Sequence, residues 1–174
     1  YRLRYVLNDD ALFARGVSLN MTDEDALEAE TGEYSLDMGQ QVFVDDVAVV
    51  RASRIAGSAW MDADVSGTLD AQESIMTGVT AQLMDANGNL LSKMQVASDG
   101  RYAFERLRSG TYVLRFELPE DVLFTDYHGV QDGSCVSVMQ GNIGETNPFV
   151  LVMGEDKSDM HVGGILPGRI GDTV

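Results

Sequence analysis

Val79-Thr80-Ala81-Gln82-Leu83-Met84 runs into Asp85-Ala86-Asn87-Gly88-Asn89, and this pairing of a β-prone run with a cluster of turn residues decides the fold class. A hairpin is its simplest reading, with residues 90–97 as the return strand. Outward from it the texture repeats. Asp99-Gly100 turns the chain into Tyr102-Ala103-Phe104, whose aromatic residues alternate inward, and Ser109-Gly110 makes the next turn. Tyr112-Val113-Leu114-Arg115-Phe116-Glu117-Leu118 then alternates until Pro119, which cannot donate to a sheet ladder. The chain therefore reads as all-β. The one competing stretch is residues 23–30, where Thr22 could cap a short helix, but its acidity reads better as a loop.

The sequence also resembles itself. Tyr1-Arg2-Leu3-Arg4-Tyr5 matches Tyr112-Val113-Leu114-Arg115-Phe116, and Leu7, Asp10, Leu12 and Phe13 match Leu118, Asp121, Leu123 and Phe124. Tyr34-Ser35-Leu36-Asp37-Met38-Gly39 resembles Phe149-Val150-Leu151-Val152-Met153-Gly154, and Arg54-Ile55 resembles Arg169-Ile170. A repeat of about 115 residues accounts for the spacing. On this reading residues 1–55 are the C-terminal half of a preceding repeat and residues 56–174 are one nearly complete repeat. Half a sandwich cannot cover its own apolar face, so residues 1–55 are expected to need a partner segment.

Composition narrows the partners. A formal charge of −16, from 28 acidic and 12 basic residues, repels phosphate backbones and anionic lipid and attracts divalent cations. Nucleic acid is disfavoured as a partner. No run of eighteen apolar residues supports membrane insertion, and the opening at Tyr1 reads as an excised segment. With 44% hydrophobic residues the chain can build a core, but the single Cys135 allows no internal disulfide and no cysteine metal cluster.

One segment carries chemistry. Residues 62–73 read Asp-Ala-Asp-Val-Ser-Gly-Thr-Leu-Asp-Ala-Gln-Glu, a close match to a twelve-residue calcium loop with Ser66 in a relaxed fifth place. Calcium takes six to eight hard oxygen ligands in a flexible shell, and side chains at alternate loop positions converge on one point. Asp62, Asp64 and Ser66 would occupy those positions. Thr68 would offer its backbone carbonyl, Asp70 would act directly or through water, and Glu73 would close the shell, while Gly67 permits the sharp turn. The flanks carry glycine and strand patterns instead of helices, so the loop reads as grafted onto a β fold.

Gly57-Ser58-Ala59-Trp60-Met61-Asp62, the loop, Gly78-Val79-Thr80-Ala81-Gln82-Leu83, Asp85-Ala86-Asn87-Gly88, Ser98-Asp99-Gly100-Arg101-Tyr102-Ala103-Phe104 and Leu107-Arg108-Ser109-Gly110-Thr111-Tyr112 together resemble successive motifs of the SdrD B-like domain family. The resemblance implies a transthyretin-like, CnaB-type β-sandwich, rigidity that depends on Ca2+, and a place in the repeat region of bacterial cell-wall-associated adhesins. The Asp-Ser-Asp motif of the family is reduced here to Asp132-Gly133-Ser134, which weakens the case for a second calcium site. Related domains often carry an isopeptide bond from an early-strand lysine. The lysines here, Lys93 and Lys157, are not placed for one.

Other features carry less. No Cys or His stands at zinc-ligand spacing from His128 or His161 in the sequence, no G-x-S-x-G elbow is present, and Asn20-Met21-Thr22 is a sequon only formally. Trp60 reads as a buried neighbour of the calcium loop, with a carbohydrate-stacking platform as the alternative. The expected function is a non-enzymatic structural spacer, packed against neighbouring repeats or copies on an extracellular bacterial surface. The rival is a calcium-dependent adhesin module for a glycan or host protein.

Overall fold

The computed structural model describes residues 1–44, 46–126 and 134–168. His128, Asp132, Gly133 and the Arg169-Ile170 match lie outside the described residues. The first unit contributes β1 (Arg4–Val6), β2 (Ala11–Phe13), β3 (Glu28–Glu30) and β4 (Val49–Arg51). The second begins with β5 (Ser53–Met61), β6 (Ser74–Ile75), β7 (Thr80–Asp85), β8 (Leu90–Gln95), β9 (Arg101–Leu107) and β10 (Gly110–Glu117). It is completed by β11 (Leu123–Phe124), β12 (Val138–Gln140), β13 (Ile143–Glu145), β14 (Phe149–Leu151), β15 (Asp156–Lys157) and β16 (Val162–Ile165).

The expected hairpin is β7–β8, antiparallel with Leu83 opposite Ser92, and its turn is held by Asp85, whose Oδ1 accepts the N–H groups of Asn87 and Asn89. β7 lies between β8 and β10, and β13 and β14 pair with successive stretches of the other edge of β10, β12 extending the sheet. The second sheet is organised around β5. It pairs antiparallel with β9 and β6 and parallel with β15 and β16, and β11 adds to β16. The all-β sandwich expected from the sequence is thus the architecture observed.

Alternation explains the core. Along β10 and its continuation, Tyr112, Leu114, Phe116 and Leu118 turn inward and are buried, meeting Ile55 and Ala59 of β5 and Ala81 and Leu83 of β7 in one cluster. Full burial of a side chain such as Leu114 or Phe116 contributes roughly 1.5–3 kcal/mol. Trp60 is 1% exposed and meets His161 edge-on, which favours burial over the carbohydrate-platform alternative.

The first unit forms two small antiparallel sheets, β1–β3 and β2–β4. Residues 28–30, expected as part of an acidic loop, are instead strand β3. Ala29 is small enough to be buried while Glu28 and Glu30 remain outside, and Arg4 of β1 pairs with Glu28 across the ladder. Thr22 is not a helix cap; Asp23 Oδ1 accepts the Asp25 N–H in an Asx turn. The expected division between residues 55 and 56 falls within β5, which begins at Ser53.

Candidate metal centre and the contacts between units

The loop of residues 62–73 leaves the end of β5 and returns in β6, so both its ends are fixed by one antiparallel pair, Met61 opposite Ser74. Carboxylate oxygens of Asp62, Asp64 and Glu73 lie within 4.8 Å of one another. Among the described residues no Lys or Arg forms an ion pair with any of the three.

Asp62 is the anchor. Its side chain is buried, Oδ1 accepts the Ser66 N–H at 3.0 Å, and Oδ2 accepts the Gly67 N–H at 2.8 Å and the hydroxyl of Thr125. Gly67 adopts a φ of 74°, which turns its N–H toward Asp62 at no steric cost. Burial acts to raise the Asp62 pKa, but the hydrogen bonds from Thr125, Gly67 and Ser66 outweigh it and hold the carboxyl below its ordinary value. Glu73 behaves oppositely. Its Oε1 accepts the Ala63 N–H at 3.1 Å and Oε2 the Asp70 N–H at 3.2 Å, but burial first, and then the charges of Asp62 and Asp70, raise its pKa.

Asp64 Oδ1 accepts the Ser66 N–H at 3.1 Å. The Ser66 hydroxyl lies 3.3 Å from the Thr68 carbonyl and 3.2 Å from the Thr68 hydroxyl, so these two residues share one side of the loop. Asp70 does not join the three-carboxylate cluster; its Oδ1 accepts the Gln72 N–H at 3.1 Å. The donor set fits a hard divalent cation. Three carboxylates gathered with no cationic side chain paired to them among the described residues, one of them with its pKa raised by burial and then by the charges of Asp62 and Asp70, concentrate negative charge that such an ion would neutralise.

Thr125 was not indicated by any motif. It follows β11 in sequence and is 1% exposed, with its N–H bonded to Gly163 of β16, so the late strands hold the donor that fixes Asp62.

The contact between the units was also not legible in the loop. Arg106 donates to the carbonyl oxygens of Asp9 at 2.9 Å and Asp25 at 3.0 Å, and Arg108 donates to Phe13 at 3.1 Å and to Glu24. Arg108 is also 3.3 Å from the Asp25 carboxylate with a side chain 11% exposed. Arg106 holds a φ of 57°, a left-handed conformation uncommon outside glycine. Only Ala52 separates β4 from β5, and its N–H donates to Asp10 at 2.7 Å.

Comparison with known proteins agrees with the motifs. The serine-aspartate repeat-containing protein D of Staphylococcus aureus (strain Newman) is 30% identical over 117 residues, covering 65% of this chain and 8% of that protein. Protein I of Staphylococcus saprophyticus is 39% identical over 66 residues, 38% of this chain and 4% of that one. The chain thus spans a small fraction of the curated relatives it matches. A similar solved structure is the minor pilin of Streptococcus agalactiae, with a TM-score of 0.42 and 11% identity, covering 74% of this chain and 50% of that one. The SdrD B-like domain family matches residues 53–164, and the chain belongs to that family.

Proposed function

We propose that this chain is a calcium-stabilised spacer of a bacterial cell-surface protein, a non-enzymatic stalk element that holds a functional region away from the cell wall. The observation that carries the spacer reading is the junction. One residue separates the last strand of the first unit from the first strand of the second, and Arg106 and Arg108 reach across to backbone carbonyls. Hydrogen bonds from a guanidinium to carbonyl oxygens resist rotation, because its planar fork fixes several donors at once. Such a junction suits a rod better than a hinge.

Calcium is assigned to the loop on its donor chemistry. Asp62, Asp64, Ser66, Thr68 through its carbonyl, Asp70 and Glu73 would hold it, with Asp70 reaching the ion directly or through water. The ion would supply charge neutralisation and tie the loop to the end of β5. Extracellular modules bind calcium with dissociation constants of roughly 10⁻⁴–10⁻³ M, so millimolar calcium would stabilise the domain by on the order of 1 kcal/mol. The relatives are named serine-aspartate repeat-containing proteins, and the extracellular location is carried to this chain by its membership of the SdrD B-like domain family.

The test measures the distance between spin labels placed on β8 and in the first unit, in calcium and in chelator. A narrow distribution in calcium that broadens in the Arg106→Ala, Arg108→Ala double variant supports the spacer. A broad distribution in the parent under both conditions rules it out.

A further inference from the structure

The first unit repeats the back half of the sandwich bond by bond. Residues 1–14 stand 111 positions before their counterparts and residues 27–51 stand 115 before theirs. With those spacings Arg4 opposite Glu30 becomes Arg115 opposite Glu145, and Phe13 opposite Val49 becomes Phe124 opposite Gly164. The side-chain bonds follow. Thr31 donates its N–H to the Leu3 carbonyl and accepts the Leu3 N–H at its hydroxyl, as Thr146 does with Leu114. Leu7 donates to Leu27 and Ala14 to Ala48, as Leu118 does to Asn142 and Thr125 to Gly163.

The counterparts differ in what covers them. Leu114 is 0% exposed and Tyr112 8%, whereas Leu3 is 43% exposed and Tyr1 77%. In the sandwich the residues that cover this face belong to the front half. β7 pairs along the edge of β10 with Leu114 opposite Leu83, and β5 runs parallel beside β16 with Val162 opposite Ala59. In the first unit, among the described residues, β1 pairs only with β3 and β4 only with β2. A cleft of about 310 Å³ opens there between Tyr5, Leu7, Phe13, Val47 and Val49; the counterpart of Val47 is Val162, fully buried.

We propose that the face carrying Tyr1, Leu3, Tyr5 and Leu7 is the docking surface for a front-half segment with the strand pattern of residues 53–107, supplied from upstream in a longer polypeptide. Its β7-like strand adds antiparallel to the free edge of β1. Its β5-like strand adds parallel to β4 and fills the cleft. This occupant is favoured over a second copy because the front half of each copy is already committed to its own β10 and β16.

The experiment uses the full chain and a fusion in which residues 53–111 are joined directly ahead of Tyr1, the junction that Thr111 makes with Tyr112. Amide hydrogen exchange is read at residues 1–7. The fusion is expected to slow exchange there at least tenfold relative to the parent, and Leu3→Asp in the fusion is expected to reverse that gain while leaving residues 112–118 protected. Equal exchange in fusion and parent overturns the proposal. So does parent protection that rises with protein concentration alongside a dimer mass, which would assign the face to a second copy.

Discussion

At the residue scale the loop rests on two carboxylates with opposed electrostatics. Asp62 is depressed by its donors, so its contribution to stability is present above the ordinary aspartate range and is lost as pH falls through the depressed value. Replacing Thr125 with Val removes a buried donor to that carboxylate. It is expected to cost about 1–3 kcal/mol and to move acid unfolding in chelator to higher pH, read by circular dichroism against pH. Glu73 has the other sign. Its folded pKa is raised, so without metal its ionisation costs stability as pH climbs from the ordinary glutamate range through the folded value. Calcium would offset that cost, and the calcium-dependent rise in Tm should grow across the same interval. At neutral pH the parent is expected to gain about 4 °C or more in millimolar calcium, and Glu73→Gln to lose most of that gain. A parent Tm indifferent to chelator would remove calcium from the account. Val65 is a separate matter: a β-branched residue at φ 59°, 60% exposed. Val65→Asn relieves a left-handed penalty of about 1 kcal/mol and should raise Tm in chelator.

At the element scale, β16 is where the acidic loop of residues 62–73 meets the core. Asp62 donates its N–H to the Gly164 carbonyl, and a Cβ at Gly163 would lie 2.5 Å from Thr125 Cγ2 and 2.6 Å from the Trp60 ring. Gly163→Ala is therefore expected to overpack the site by about 1–3 kcal/mol and to weaken calcium stabilisation as well, since Trp60 and Thr125 flank Asp62. Calorimetry with and without calcium separates the two effects. Much of this architecture was legible. The turn at residues 85–89 and the alternation from Tyr112 to Leu118 report local geometry, which sequence carries directly. The late strands were not: β11 and β15 are two residues long, and β13 carries Gly144, whose Cβ would lie 2.6 Å from Phe124 and Val136. Their periodicity is too short to see, and their role comes from what they touch. β3 failed for a related reason, since Glu28-Ala29-Glu30 has the composition of a loop and becomes a strand only because β1 supplies a ladder.

For the molecule as a whole, the gathering of Asp62, Asp64 and Glu73 was readable because the three lie within twelve consecutive residues, whereas Thr125, Arg106 and Arg108 act on segments far away in sequence. Long-range contacts leave no local pattern. The charge of −16 adds a global expectation: self-repulsion is screened by salt, so part of any stabilisation by calcium should be reproduced by sodium chloride, and the part that is not belongs to the loop. Comparing Tm in magnesium, sodium and calcium at equal ionic strength measures that division.

The parallel pairing of β5 with β16 sets how the sandwich would carry a pull. The chain enters it at Ser53, and β16 runs alongside the far end of β5, with Gly164 opposite Met61. Its two connections therefore lie at opposite ends of the strand axis, about 30 Å apart for nine residues. Tension applied between them loads the hydrogen bonds of β5 and β16 together, in shear, instead of peeling them open one at a time, and the acidic loop of residues 62–73 sits at the end of β5 where that load is borne.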